Sequence, residues 1–388
     1  MQRETGSQRL REKIDELLSK DAPRSYANVN SLQKSLSEVQ TLAKQLYPNN
    51  ETLKTILNRQ DFSMEQRLED PKSITNTDIM NNAKEIALAI GLEDHSRDNI
   101  KKTSGVASIE SSNSLSPSET AEKVAQIDLQ KVNTNAISTF ILAILAGALI
   151  AIAGVYFTFA TSQMIVTRTF TQIFGGLLFS MGLMFVVITG AQMFTGNTLG
   201  IMNIASRKLK ATKLLRNWAI VYAGNFVGSV ATAGVLYMSK AWTNNGYQFG
   251  IKAMMIASHK VSLGFVDAFF LGILCNSLVC LAIYLAAGGK KISDKVLAIM
   301  FPTAAFIAMG FEHCVANMYF LTFASMIKND PSLLSAMQTA GVTVDISHLD
   351  YMGIVSNLLP VTLGNIVGGS VFVGLTYWLA FMRNKRKE

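Results

Sequence analysis

GFEHCVANMY, Gly310 to Tyr319, sets a glutamate beside a histidine inside a long apolar run. From Val296 to Ile327 the only charged or imidazole side chains are Glu312 and His313. A membrane crossing needs only about 20 apolar residues, so this block is too long for one span. A second block, Thr169–Ser206, is longer still and would run roughly 57 Å as one straight helix. Each block carries polar punctuation after one span's length: GFEHCVAN (Gly310–Asn317) in one, GAQMFTGNT (Gly190–Thr198) in the other. The economical reading is a helix that breaks, bends at membrane depth and resumes as a half-helix. Bare backbone cannot face lipid, so each bend must be buried in protein or line a cavity. Both bends are therefore pore candidates.

Working outward, five uncharged blocks accompany this one: Val132–Thr167, Thr169–Ser206, Asn217–Ser239, Ala268–Gly289 and Tyr351–Met382. The expectation is six crossings. Dense basic clusters lie at Arg207–Arg216, Lys290–Lys295 and Arg383–Glu388, while the alternate loops are sparser. The positive-inside rule then puts both termini in the cytoplasm. The apolar part carries 17 Lys and Arg against 7 Asp and Glu, and residues 1–131 carry 18 against 20. A basic excess on an apolar chain reads as topology, not nucleic-acid binding. Cys275, Cys280 and Cys314 all fall in apolar segments and read as reduced core residues; neither a disulfide framework nor a metal or cofactor site is expected. The first long apolar run begins only beyond residue 130, so no signal peptide is expected.

The two halves echo each other. YAGNFVGSVATAGVLY (Tyr222–Tyr237) matches TLGNIVGGSVFVGLTY (Thr362–Tyr377), GAQMFTGN matches GFEHCVAN, and ILAILAGAL (Ile141–Leu149) matches FLGILCNSL (Phe270–Leu278). Three spans per half is an odd number, so the second half must be inserted upside down, with a substrate site expected near the midplane. The glycines of GNFVGS and GNIVGG read as close-packing positions. Trp218, Trp242 and Trp378 fall near span ends and read as interface anchors.

Before the spans, residues 1–100 show short amphipathic patterns at Leu10–Leu18, Val29–Tyr47 and Thr77–Leu92, which predict a small soluble, cytoplasmic helical extension whose role the sequence leaves open. Residues 101–131 read as a Ser-rich linker followed by an amphipathic surface helix, Leu115–Lys131, capped at Ser116–Pro117. Residues 132–388 form the transmembrane domain.

From Leu115 to Arg383 the chain resembles the formate/nitrite transporter family, through SPSETAEK, FSMGLMFVVITGAQMFTGNT, NWAIVYAGNFVGS, LGILCNSLVCLAIYLA and GFEHCVANMY. The resemblance implies an all-α, aquaporin-like fold of two inverted three-helix repeats with the second and fifth helices broken. It also implies a homopentamer with one pore per protomer in a bacterial inner membrane, passing small monovalent anions such as formate and nitrite. It makes His313 the central pore histidine, with Thr195 opposite and Met193 and Phe194 on the same loop. Phe179, Leu183, Val279 and Phe306 take the apolar constrictions, Lys260 and Asn276 the outer vestibule, and Glu312 and Asn317 flank the histidine. Met193 stands where many relatives have leucine. Residues 1–115 have no counterpart in that pattern.

Chemically, a bare anion in an apolar slot faces a prohibitive desolvation cost. A cationic vestibule, with Lys260, can gather the anion, and a proton meeting it before the constriction can neutralise it. An imidazole titrates near pH 6.5 and suits such a proton-linked path. Glu312, a neighbour turned roughly 100° away on a helix, is expected to support the break by accepting backbone N–H bonds. Other readings are the same fold carrying mainly lactate, acetate or hydrosulfide, a membrane scaffold or sensor acting through the amino-terminal bundle, a water or glycerol channel, which would want paired Asn-Pro-Ala loops, and a membrane hydrolase, which lacks the second ligand histidine a metalloprotease needs.

Overall fold

The computed structural model describes residues 8–10, 12–14, 26–58, 82–83, 85–87, 89, 114–163 and 166–383. The Leu10–Leu18 and Thr77–Leu92 patterns lie partly outside these residues, as does the linker before residue 114. The chain divides into two units, Met1–Ile109 and Glu110–Glu388. In the first, α1 (Tyr26–Leu46) and the helical residues 51–58 contribute Leu36, Val39, Ala43, Leu53 and Leu57 to a small core with Leu10, Ile14, Ala83 and Ile86. Apolar residues three and four apart make that core face.

The second unit is helical throughout its described residues, apart from one isolated bridge between Ser114 and Gly289. It opens with α2 (Pro117–Asn133). Ser116 caps this helix: its hydroxyl accepts the Glu119 N–H while Glu119 reaches back to the Ser116 N–H, a reciprocal capping box. Then come α3 (Ala136–Thr161), α4 (Arg168–Thr189), α5 (Phe194–Asn197), a 3-10 turn Thr198–Gly200, α6 (Ile201–Ala205), α7 (Ala211–Ser239), α8 (Gln248–Val261), α9 (Phe265–Gly288), α10 (Ile292–Ala308), α11 (Cys314–Ile327), α12 (Pro331–Thr339), α13 (Tyr351–Val367), a π-helical stretch Gly368–Leu375 and α14 (Thr376–Phe381).

Among the described residues, five apolar helices are long enough to cross a membrane: α3, α4, α7, α9 and the continuous run Tyr351–Phe381. The sixth block is divided into α10 and the apolar α11, both shorter. The division stems from Gly310, whose φ of 71° is a left-handed conformation that L side chains rarely adopt. Gly190 does the same for the first block at φ 77°. The two breaks then diverge. The second resumes as the 14-residue α11 because His313 caps it, its Nδ1 accepting the Ala316 N–H. In the first break Met193 has no acceptor to offer. The half-helix expected there runs without interruption over residues 194–205, as α5, the 3-10 turn and α6, and Thr198 Oγ1 bonds back to the Thr195 carbonyl within it.

The glycine positions explain how tightly the helices meet. A Cβ on Gly228 of α7 would lie 2.0 Å from the Ile144 carbonyl oxygen, and one on Gly368 2.3 Å from that of Ile273. Two of the tryptophans depart from the anchor reading. Trp242 is fully buried, and Trp218 is half-buried with its Nε1–H given to the Asn197 carbonyl, bracing the first break.

Candidate functional site

The two breaks are held by the same device used twice. Asn225 of α7 donates from Nδ2 to the carbonyls of Ala143 and Gln192 (2.8 and 2.9 Å) and accepts the Phe194 N–H at 2.8 Å. Asn365 of α13 donates to the carbonyls of Gly272 and Glu312 (2.8 and 2.9 Å) and accepts the Cys314 N–H at 2.9 Å. The backbone agrees: the Gln192 N–H bonds the Leu142 carbonyl and the Glu312 N–H the Leu271 carbonyl. These partners are the positions paired by the sequence echoes. One amide side chain thus satisfies a carbonyl and an N–H of each break and ties them to the neighbouring helix, as burial demands.

Between the breaks, Thr195 Oγ1 lies 2.9 Å from His313 Nε2. Both residues are buried, at 0% and 3% exposure. His313 Nδ1 accepts the Ala316 N–H at 3.1 Å. A nitrogen that accepts carries no proton, so the neutral imidazole holds its proton on Nε2 and donates to Thr195. Phe306 lies nearly parallel to the imidazole, centroids 6.0 Å apart, and Phe179 meets Phe306 edge to face at 6.2 Å. Leu183, Met193 and Val279 are buried in the same apolar cluster. Phe194 belongs to the same cluster, and its ring meets Tyr222 at 5.0 Å and Trp218 at 6.0 Å, which packs α5 onto α7.

One expectation about the polar residues is corrected, and two other residues gain defined surroundings. Glu312 accepts no backbone N–H among its described bonds; its carboxylate takes Lys260 Nζ at 2.7 Å and Asn317 Nδ2 at 2.6 Å. Asn365 and His313 occupy the N–H groups it was expected to cap, which leaves its charge free for the lysine. Lys260 closes the last turn of α8, where the helix dipole favours a cation, and its ammonium also lies over the Phe320 ring. Asn276 is fully buried: its Nδ2 serves the carbonyls of Thr195 and Asn365 and the hydroxyl of Thr198. It ties the first break to the helix that holds the second.

Asn317 is buried and also donates to Asn357, whose own Nδ2 goes to the Lys260 carbonyl. The first break has the counterpart: Asn197 donates to Gln192 and Asn217, and its Oδ1 accepts from Lys131 Nζ at 3.3 Å. Sequence reasoning missed Lys131. The signal that finds it is arithmetic, because the 129-residue spacing from Ala143 to Gly272 also relates Lys131 to Lys260. A cavity of about 140 Å³ opens at this break, lined by Met193, Gly196, Lys131, Lys123 and Lys295. Another, about 880 Å³, adjoins the second break at Gly310, with Arg168, His259 and Asp267 in its wall. Neither is lined by His313 or Thr195. Among the described residues no group of His, Cys, Asp and Glu is arranged to hold a metal ion.

Comparison with known proteins agrees with this arrangement. The family model for formate/nitrite transporters matches residues 118–379. The chain belongs to the formate/nitrite transporter family. It is 36% identical over 276 residues to the formate channel FocA of Escherichia coli (strain K12), covering 69% of this chain and 95% of that one. It is 38% identical over 268 residues to FocA of Haemophilus influenzae, covering 68% and 94%. Among solved structures it resembles a pentameric formate channel with formate bound, at 41% identity and a TM-score of 0.59, covering 64% of this chain and 98% of that one. It also resembles an FNT family ion channel at 27% identity and a TM-score of 0.57, covering 68% and 98%. Family membership makes this a membrane transporter and not an enzyme, and the residues ahead of the matched region form an extension to the family domain.

Proposed function

We propose that the chain is a homopentameric channel for small monovalent anions, formate before nitrite, with a proton-linked path through each protomer. The two halves are inverted repeats giving six crossings of a bacterial inner membrane, α10 and α11 together making the fifth. The termini are cytoplasmic, so the Lys131 side is the inner mouth and the Lys260 side the outer. The observation that carries this reading is the 2.9 Å link from Thr195 to His313, which joins the two breaks inside an apolar cluster. The substrate assignment rests on the named formate channels the chain is similar to.

The local chemistry favours a hydrogen-bonding station over a standing cation. Charging His313 means protonating Nδ1, which would displace the Ala316 N–H it now accepts, and the site excludes water. Losing a helix cap costs about 0.5–2 kcal/mol, and an unpaired buried cation costs far more. A neutral imidazole that gave up its only proton would become an anion, so it cannot serve as donor at ordinary pH. His313 therefore offers its Nε2–H to an incoming carboxylate oxygen in place of Thr195. The proton that neutralises the anion comes from the mouths, where Lys260 and Lys131 gather it.

The test is formate-driven current in proteoliposomes across a pH series, run with nitrite, lactate, acetate and hydrosulfide alongside. Wild-type protein is expected to pass formate best, with flux rising as pH falls. His313→Asn is expected to cut that flux at least tenfold and to leave the direction of its pH response in place, since the proton comes from the mouths. Equal flux in that variant would refute the role given to the histidine.

A further inference from the structure

Each mouth lysine has a carboxylate partner, but the two acids come from different places. At the outer mouth Lys260 pairs with Glu312, on the break itself. The position matching Glu312 in the first break is Gln192, which is neutral and whose side chain accepts from Asn197 and Asn217. Lys131 pairs instead with Asp128, 3.1 Å away and one turn back on α2. By the 129-residue spacing, the position matching Asp128 is Ala257, so the repeat does not account for this acid.

Asp128 is also in an unusual place for a surface-helix carboxylate. It is 3% exposed, and its Oδ2 has no hydrogen-bond partner. Buried carboxylates of this kind are retained only when a charge faces them. Among the described residues, the cation paired with it is Lys131. From α9 it faces the Cys280 thiol, while Tyr284 bonds the Pro117 carbonyl at the far end of α2 and stacks on Tyr377 of α14. Lys213 and Arg216 of α7 stand beyond the end of α2, at the cavity beside Asn133. Lys123 and Lys295 rim the small cavity that Lys131 enters. The segment Thr198–Gly200 and α6 bring no titratable group.

We propose that Asp128 is the positioning carboxylate of the inner mouth, standing in for the acid that Gln192 does not supply. It holds Lys131 against Asn197 and offsets its charge, as Glu312 does for Lys260, from the lysine's own helix instead of from the break. The inference rests on the proposed transport of anions past Lys131. Its consequence is a limit on how tightly the inner mouth holds an anion: an unopposed Lys131 would bind it more strongly and release it more slowly.

The experiment is relocation of the charge. Asp128→Asn is expected to lower the half-saturating formate concentration severalfold and to lower the maximal rate with it. Adding Gln192→Glu to that variant puts a carboxylate beside Asn197, where Lys131 already reaches, and is expected to restore both values. Unchanged half-saturation in Asp128→Asn would overturn the proposal. So would a double variant that stays unlike wild type, whether through lost fold or lost flux. Thermal unfolding across a pH series reads the same carboxylate with no anion present. Burial pushes the Asp128 carboxyl above its ordinary range, so its contribution to stability is present at low pH and is lost as pH rises through the raised value. The melting temperature of wild type minus that of Asp128→Asn is accordingly expected to fall as pH rises; Lys131 works against that fall, so the same difference measured in a Lys131→Met background is expected to fall more steeply, and an equal slope would count against the pairing. Wild-type protein that passes no formate but keeps this Lys131-dependent melting trend would fail the transport reading and leave the pairing standing.

Discussion

At the scale of single residues, Asn225 and Asn365 carry more of the structure than their chemistry advertises. Each makes three hydrogen bonds, two of them to backbone groups that a helix break would otherwise leave open. Leaving a buried polar group unsatisfied costs about 1–3 kcal/mol. Asn225→Ala and Asn365→Ala are each expected to destabilise the protein by about 2–4 kcal/mol, allowing for partial relaxation. Thermal melts in detergent check this, and a shift in only one of the two variants would deny that they are equivalent. Residue roles were unevenly legible in the sequence. His313 stood out because an imidazole in an apolar block is rare, and Thr195 came with it through the family resemblance. The pairing of Glu312 with Lys260 did not, since the two lie 52 positions apart and nothing in the local spacing joins them. Asp128 and Lys131 were one helical turn apart in plain view, but that spacing on an amphipathic helix reads as a solvated ion pair. Only burial distinguishes them from one.

At the scale of elements, the breaks were readable because helix rise is fixed: a block far longer than a bilayer is thick must bend or protrude. The half-helix beyond each break was readable too, but not how it starts: His313 caps the second with its ring nitrogen, while Met193 caps nothing and the first carries a 3-10 turn. Packing distance was half legible. Glycines at matching positions announced close contact, and the structure gives that contact its geometry. Gly228→Ala would press a methyl onto the Ile144 carbonyl and force α3 and α7 apart. Overpacking of this kind costs about 1–3 kcal/mol, so the variant is expected to melt lower. Gly234→Ala, on the same helix, meets nothing within 4 Å in the protomer and is expected to be neutral, or slightly stabilising through better helix propensity. Equal losses in both variants would show that propensity and not packing governs α7.

At the scale of the whole molecule, the chain holds more than the family domain. The matched region spans residues 118–379, and FocA of Escherichia coli is covered over 95% of its own length by an alignment taking in 69% of this chain. The unit Glu110–Glu388 contains the breaks, the mouth lysines and Asp128, together with the apolar cluster around Phe179, Phe306 and His313. The unit Met1–Ile109 buries its own small core of Leu10, Leu36, Val39, Leu53 and Ile86. None of its described residues belongs to the candidate path. A chain beginning at Glu110 keeps the Ser116 capping box that starts α2, and with it the helix that carries Asp128 and Lys131. That shortened chain is therefore expected to assemble as a pentamer and to pass formate at the full-length rate with the same half-saturation. Size-exclusion chromatography with light scattering reads the assembly, and proteoliposome currents read the flux. A truncated pentamer of normal size with altered flux or pH response would instead assign the extension a regulatory part in transport. Altered half-saturation alone would point to the inner mouth, where α2 carries Asp128 and Lys131.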